Sequence, residues 1–210
     1  MRTIRVCLVG FGNVGKALVR LLEKKQPALT SQFGFSTIVT GIATGSHGIA
    51  IDPDGINVHE AIQLVESGKS LSSISKFPTP ADNLAFIREC AAEVLFENTP
   101  VNHHTGQPAA DHLKAALEAG MHAITANKGP VVHVYQELTA LAQKKERRFL
   151  FESAVMDGAP IFSLFRGPLP AVELKGFHGI LNSCTNLLLE LMEQGKTFEE
   201  AVTYGQSVGI

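Results

Sequence analysis

Six residues near the N-terminus constrain this chain more than any others. Gly10-Phe11-Gly12-Asn13-Val14-Gly15 directly follows the apolar run Ile4 to Val9 and leads into Ala17 to Lys25, where Leu18, Leu21 and Leu22 recur at helical spacing. A short apolar run bounded by glycine predicts a strand buried on both faces, as parallel sheets require. The glycines then take separate tasks: Gly10 for the tight turn, Gly12 for backbone approach to a pyrophosphate, Gly15 for close packing of helix on strand. A helix that begins here offers unpaired N–H groups and a partial positive charge to phosphates. All six residues, Gly10, Phe11, Gly12, Asn13, Val14 and Gly15, are therefore expected to line a dinucleotide site. The bland alternative is a glycine turn with no ligand.

The rest of the chain repeats the same alternation. Strands are expected at Thr37 to Ala43, Glu93 to Glu97, His122 to Thr125 and Arg148 to Ala154. Helices are expected near His59 to Ser67, Asp82 to Cys90, Ala109 to Ala119 and Val131 to Lys145, with a Gly, Asp and Pro-rich loop from Thr44 to Gly55. Connections this long imply βαβ units and a helix-covered parallel sheet. The expected class is α/β: a Rossmann-type doubly wound parallel sheet over 1–151, then a partial α+β second domain over 152–210. That second part is short for a core of its own. It is expected to lean on the first domain, on a second subunit, or on further sequence.

Composition excludes other classes. With 45% hydrophobic and 18% charged residues and a formal net charge of −2, the chain has no surplus of charge for nucleic acid or an anionic membrane. Three scattered cysteines, Cys7, Cys90 and Cys184, form no CxxC pair, which argues against a disulfide framework or structural zinc. No segment is long and apolar enough for a membrane span or a signal peptide. The expectation is a cytoplasmic protein acting on a small-molecule substrate.

The choice of coenzyme turns on the residue after the second strand, which meets the ribose 2′-hydroxyl; an acidic side chain there favours NAD and repels a 2′-phosphate. Here the strand ends in Ala43-Thr44-Gly45-Ser46-His47, without a carboxylate. The expected cofactor is NADP, with NAD left open. Ser46 and His47 are candidate phosphate contacts or, equally, solvated loop residues.

Four further segments lie at or after expected strand ends: Glu97-Asn98-Thr99-Pro100, Thr125-Ala126-Asn127-Lys128-Gly129-Pro130, Glu152 to Pro160, and Gly179 to Asn186. With these motifs in this order, the chain resembles homoserine dehydrogenase from its first strand to its last residue. The resemblance implies reversible hydride transfer between a nicotinamide and C4 of the substrate, interconverting L-homoserine and L-aspartate 4-semialdehyde on the route to threonine and methionine. Lys128 would be the catalytic residue and also a cofactor contact. An ammonium in the crevice at the carboxyl ends of the sheet can protonate or stabilise the developing alkoxide, and its neutral form can accept the proton in the reverse direction. Asn98 and Thr99 would contact the nicotinamide ribose or its phosphate, or else cap a helix.

The same resemblance makes Glu152, Val155, Asp157 and Ala159 the contacts of a monovalent cation, sodium, held mostly by backbone carbonyls; a tight turn shaped by Gly158 is the alternative. It assigns Asn182, Ser183, Cys184 and Thr185 to the substrate side, although the family more commonly has Gly-Thr where Ser183-Cys184 stands. An exposed apolar face on the incomplete second part is expected to drive self-association into a homodimer or larger homo-oligomer. The family's remaining substrate and catalytic residues, a glutamate, an aspartate and a second lysine, match positions after Ile210, so this polypeptide alone is expected to bind cofactor with little or no turnover.

Two rival readings remain. Ser183-Cys184-Thr185-Asn186 also resembles the nucleophilic segment of phosphorylating aldehyde dehydrogenases, in which a cysteine at a helix N-terminus forms a thiohemiacetal. No histidine follows His178 to act as its base. The other rival is a truncated homologue that only binds nucleotide.

Overall fold

Val6, Cys7, Leu8 and Val9 are all buried, and they form the inner half of β1 (Arg2–Val9), the strand on which the rest of the fold is assembled. The computed structural model describes residues 1–156, 159–169 and 171–209. By internal contacts the chain divides into two compact units, Met1–Ala154 and Val155–Ile210.

In the first unit, α1 (Asn13–Phe33) follows β1 and buries Gly15 and Val19 against the sheet. It runs well past Lys25, where the leucine periodicity ends. Pro27 removes only one backbone donor from the ladder, and the helix closes at Gly34 in the left-handed conformation (φ 72°), whose N–H donates to the carbonyl of Thr30. β2 (Phe35–Ala43) lies parallel to β1. The loop expected from Thr44 to Gly55 contains a strand, β3 (Ile49–Ile51), antiparallel to β2 and fully buried. A three-residue strand carries too little pattern to be distinguished from loop in a sequence.

α2 (Val58–Glu66) and α3 (Asn83–Glu89) start at the side-chain caps Asn57 and Asp82, and a 3₁₀ turn, Leu71–Ile74, lies between them. Next come β4 (Val94–Glu97), α4 (Ala109–Glu118) and β5 (His122–Thr125). The single helix expected over Val131 to Lys145 is two, α5 (Lys128–His133) and α6 (Tyr135–Lys144), separated where Val134 leaves helical geometry (φ −135°, ψ 24°). The last strand, β6 (Phe149–Leu150), is shorter than expected, and Glu152–Ala154 forms a 3₁₀ turn in place of its second half. β6 pairs only with Ala123 and Ile124 of β5.

The strand order is β3-β2-β1-β4-β5-β6, with every pairing parallel except β2–β3. Chain order reverses between β1 and β4. In open α/β sheets, ligands bind outside the carboxyl ends of the strands at such a switch point. Leu8, Ile42, Leu95 and Ala123 form the buried centre of the sheet, with Phe86, Leu113 and Leu117 among the buried helix residues.

In the second unit the elements are α7 (Ile161–Arg166), α8 (Ser183–Glu193) and α9 (Phe198–Ser207). Residues 171–182 form no strand. Leu191 of α8 and Ala201 of α9 are buried, whereas Val172, Leu174, Phe177, Ile180 and Leu189 are exposed. Among the described residues no helix is long and apolar enough to cross a membrane.

Candidate active site

The turn after β1 is held by its neighbouring strands. Gly10 N–H donates to the carbonyl of Ala43 at the end of β2 (2.9 Å), and Asn98 N–H donates to the carbonyl of Val9 (2.8 Å), so the ends of three strands meet at one point. Gly10 has φ +93°, and a Cβ there would lie 2.5 Å from the carbonyl carbon and oxygen of Asn98. Only glycine fits both the dihedral and the approach. A Cβ on Gly15 would lie 2.7 Å from the Gly10 carbonyl oxygen, which places the first turn of α1 directly on the glycine loop.

Gly12 differs from both: a Cβ there would meet nothing within 4 Å. Gly12 is the N-cap of α1; no side chain caps the helix, and no acidic residue occupies its first turn. Unpaired amide groups of a long helix thus face open space at the switch point, an arrangement suited to a phosphate group. Phe11 is buried beneath the turn, while Asn13 and Val14 are exposed at its rim. The residues fit a dinucleotide: there is room where the pyrophosphate must approach, and Asn98 Nδ2 is buried without a hydrogen-bond partner beside the same turn.

Beyond β2, Thr44 closes a small turn by donating its N–H and its hydroxyl to the carbonyl of Gly48 (3.0 and 2.9 Å). Ser46 lies at the exposed tip with its hydroxyl 2.8 Å from His47 Nδ1. The next carboxylates along the chain, Asp52 and Asp54, are both paired with Lys76. Ser46 and His47 therefore offer polar groups close to the carboxyl end of β2 with no acidic neighbour in their own turn.

Asn98 and Thr99 follow β4, and Asn127 and Lys128 follow β5; the structure joins the two pairs. Asn127 Nδ2 donates to the carbonyls of Thr99 (3.1 Å) and Pro100 (3.4 Å), and its Oδ1 caps α5 by accepting from Gly129 N–H (2.9 Å). A Cβ on Gly129 would lie 2.9 Å from Gly106 Cα, so the loop after β4 packs directly on the lysine turn. Lys128 is exposed, and its ammonium makes no hydrogen bond or ion pair among the described residues.

Beneath these loops lies a feature that the sequence reading passed over. Glu97, the last residue of β4, is fully buried, and its carboxylate accepts hydrogen bonds from Thr99 N–H (2.9 Å), the Thr99 hydroxyl, and the Thr125 hydroxyl (2.9 Å). His112 Nδ1, buried and without a hydrogen-bond partner, lies 3.9 Å from the same carboxylate. The signal was present: a glutamate ending an otherwise apolar strand must find partners if it is buried.

The other candidates are described within their own segments. Glu152 begins the 3₁₀ turn that ends the first unit, and Ala159 N–H donates to the Met156 carbonyl (2.8 Å). Val155 is half-buried, and Asp157 lies outside the described residues. No cluster of three or more His, Cys, Asp or Glu side chains suited to a metal occurs among the described residues. In the second unit Asn182 caps α8 by accepting from Thr185 N–H (2.9 Å), which engages both residues locally. Ser183 and Cys184 open that helix, and Cys184 is an exposed free thiol.

Comparison with known proteins names this arrangement. The family profile of the homoserine dehydrogenase NAD-binding domain matches residues 10–152, from the first glycine of the turn to the end of the sheet. The chain belongs to the homoserine dehydrogenase family. This is an oxidoreductase family, and the membership is the one that the four motifs indicated.

Over 209 residues the chain is 33% identical to an NAD(+)-dependent homoserine dehydrogenase of Pseudomonas canavaninivorans, covering 100% of itself and 59% of that protein. It is 34% identical over 206 residues to the homoserine dehydrogenase of Methanocaldococcus jannaschii, covering 98% of itself and 61% of the relative. Among solved structures, a putative homoserine dehydrogenase from Archaeoglobus fulgidus superposes with a TM-score of 0.80 at 25% identity, covering 98% of this chain and 60% of that one. A hyperthermophilic archaeal homoserine dehydrogenase in complex with NADPH gives 0.75 at 25% identity, covering 99% and 61%. The chain thus spans about 60% of the length of these homoserine dehydrogenases.

Proposed function

We propose that this chain binds a nicotinamide dinucleotide, NADP(H) in preference to NAD(H), and supplies the cofactor side of an enzyme that interconverts L-homoserine and L-aspartate 4-semialdehyde. The observation that carries the reading is the open space over Gly12 at the uncapped start of α1. The pyrophosphate takes the amide groups there, and Asn98, with its buried unpaired Nδ2, and Thr99 take the ribose and phosphate nearer the nicotinamide.

The preference for NADP rests on the turn from Thr44 to Gly48, which has no carboxylate to repel a 2′-phosphate and presents Ser46 and His47 as its donors. The names of the relatives favour neither coenzyme, one being NAD(+)-dependent and one a complex with NADPH. When bound, the nicotinamide accepts or gives up the hydride. Lys128 stands ready to exchange the hydroxyl proton, in an exposed position fixed by Asn127 and the packing of Gly129. Asn182, Ser183, Cys184 and Thr185 are assigned to the substrate by their match to the family.

Calorimetric titration with NADPH and NADH tests this. The chain should bind NADPH more tightly than NADH. Gly12→Val, which puts a side chain into open space at a site with ordinary φ, should weaken binding at least about 100-fold, or ~2.7 kcal/mol, with an unchanged melting temperature. Lys128→Met should cost little NADPH affinity and, in a form of the chain extended by downstream sequence matching its relatives, abolish L-homoserine-dependent reduction of NADP. Absence of binding heat from either coenzyme overturns the proposal.

A further inference from the structure

Hydrogen bonds beneath the site close on themselves. The Glu97 carboxylate accepts from the Thr125 hydroxyl (2.9 Å), and Thr125 Oγ1 accepts from Asn127 N–H (3.0 Å). Asn127 Nδ2 donates to the Thr99 carbonyl (3.1 Å), and Thr99 returns its N–H to Glu97 (2.9 Å). Glu97 and Thr125 are buried to within 1% of complete exclusion from solvent, and Asn127 is 6% exposed. The ring ties the loop after β4, which bears Asn98 and Thr99, to the turn after β5, which bears Lys128.

A carboxylate is an unusual choice for this position, because an apolar residue would end β4 at no desolvation cost. Glutamate is justified if one side chain must accept from both loops at once. With two oxygens and no donor of its own, a carboxylate can do so. The ring fixes the backbone of Thr99 on one side and of Asn127 on the other, one residue from the lysine.

We infer that Glu97 is a positioning residue for the reaction: acting through Thr99, Thr125 and Asn127, it sets the spacing between the nicotinamide-end contacts and Lys128. The inference deepens the proposed function and rests on its assignment of the dinucleotide site. It predicts that opening the ring disturbs the nicotinamide end of the cofactor and spares the adenosine end, which is held by the glycine turn and the Thr44 to Gly48 loop.

The test is binding of NADPH and of 2′,5′-ADP, the adenosine half alone, to the full chain and to Thr125→Val, Thr125→Ser and Glu97→Gln. Thr125→Val keeps the shape of the side chain and deletes the bridging hydroxyl. It should weaken NADPH binding about tenfold, or ~1.4 kcal/mol, quench the change in nicotinamide fluorescence on binding, and leave 2′,5′-ADP affinity as it was. Thr125→Ser should restore both NADPH readouts. If Thr125→Val fails to fold, Glu97→Gln is expected to show the same split between the two ligands.

Equal loss for both ligands, no loss for either, or failure of serine to rescue overturns the inference. So does unfolding of both variants, which would make the ring a support of the fold rather than of the site. Lack of NADPH binding by the unaltered chain would instead overturn the proposed function.

Discussion

His122 shows how much a single residue's surroundings can fix its chemistry. It begins β5 at the end of the sheet opposite the cofactor turn, where its Nδ1 accepts the Arg148 N–H (3.0 Å). Partial burial holds its imidazole below the ordinary histidine range, and the charges of Arg147, Arg148 and Arg2 lower it further. The sign follows: unfolded chains take up a proton near pH 6.5, whereas the folded protein resists until lower pH, so stability contributed by the neutral ring is complete above 6.5 and is lost as pH falls below it. His122→Asn offers an acceptor without a titration. Its melting temperature should depend less on pH between about 5 and 7 than that of the unaltered protein, and an unchanged profile would show that another group controls this range. At this scale the sequence was legible where a residue type has one use. Gly10 and Gly15 stand at the tight turn and the close helix approach that their spacing predicted, whereas the link from Glu97 to Thr125 was hidden because it joins residues 28 positions apart in the chain.

Helices with strong apolar periodicity, such as those expected near His59 to Ser67 and Asp82 to Cys90, were readable in advance, and their ends are set by side-chain caps that the structure reveals. Asn57, Asp82 and Asn182 each cap the helix that follows them. Thr197 and Glu200 form a reciprocal capping box at the start of α9, with Glu200 N–H donating to the Thr197 hydroxyl (3.2 Å) and Thr197 N–H donating to the Glu200 carboxylate (2.8 Å). Thr197→Ala should cost that helix about 1 kcal/mol, seen as faster amide exchange in its first turn; unchanged exchange would mean that packing alone holds the end. The elements that escaped were set by tertiary context. β3 pairs with the outer edge of β2, and β6 gives way after two paired residues to the 3₁₀ turn Glu152–Ala154. The break at Val134 coincides with a contact from outside the helix, His133 Nε2 lying 2.9 Å from the His103 carbonyl oxygen.

For the molecule as a whole, internal contacts divide the chain after Ala154. We propose that the first unit is a folding domain in its own right. It contains the complete six-stranded sheet, every residue of the proposed dinucleotide site, and the ring around Glu97. A fragment of residues 1–154 should therefore unfold cooperatively and bind NADPH within about threefold of the full chain, a difference of only ~0.7 kcal/mol; a fragment without a melting transition would refute independent folding. Such autonomy brings out the meaning of a small asymmetry among the helices. Several of the shorter ones carry a side-chain cap, while α1, the longest among the described residues, has none. An aspartate or serine at position 12 would complete that helix internally and occupy the ligand's seat. The chain leaves its longest helix to be finished from outside, so occupancy of the site and firmness of the first turn should rise together, and saturation should register as added thermal resistance of the fold itself.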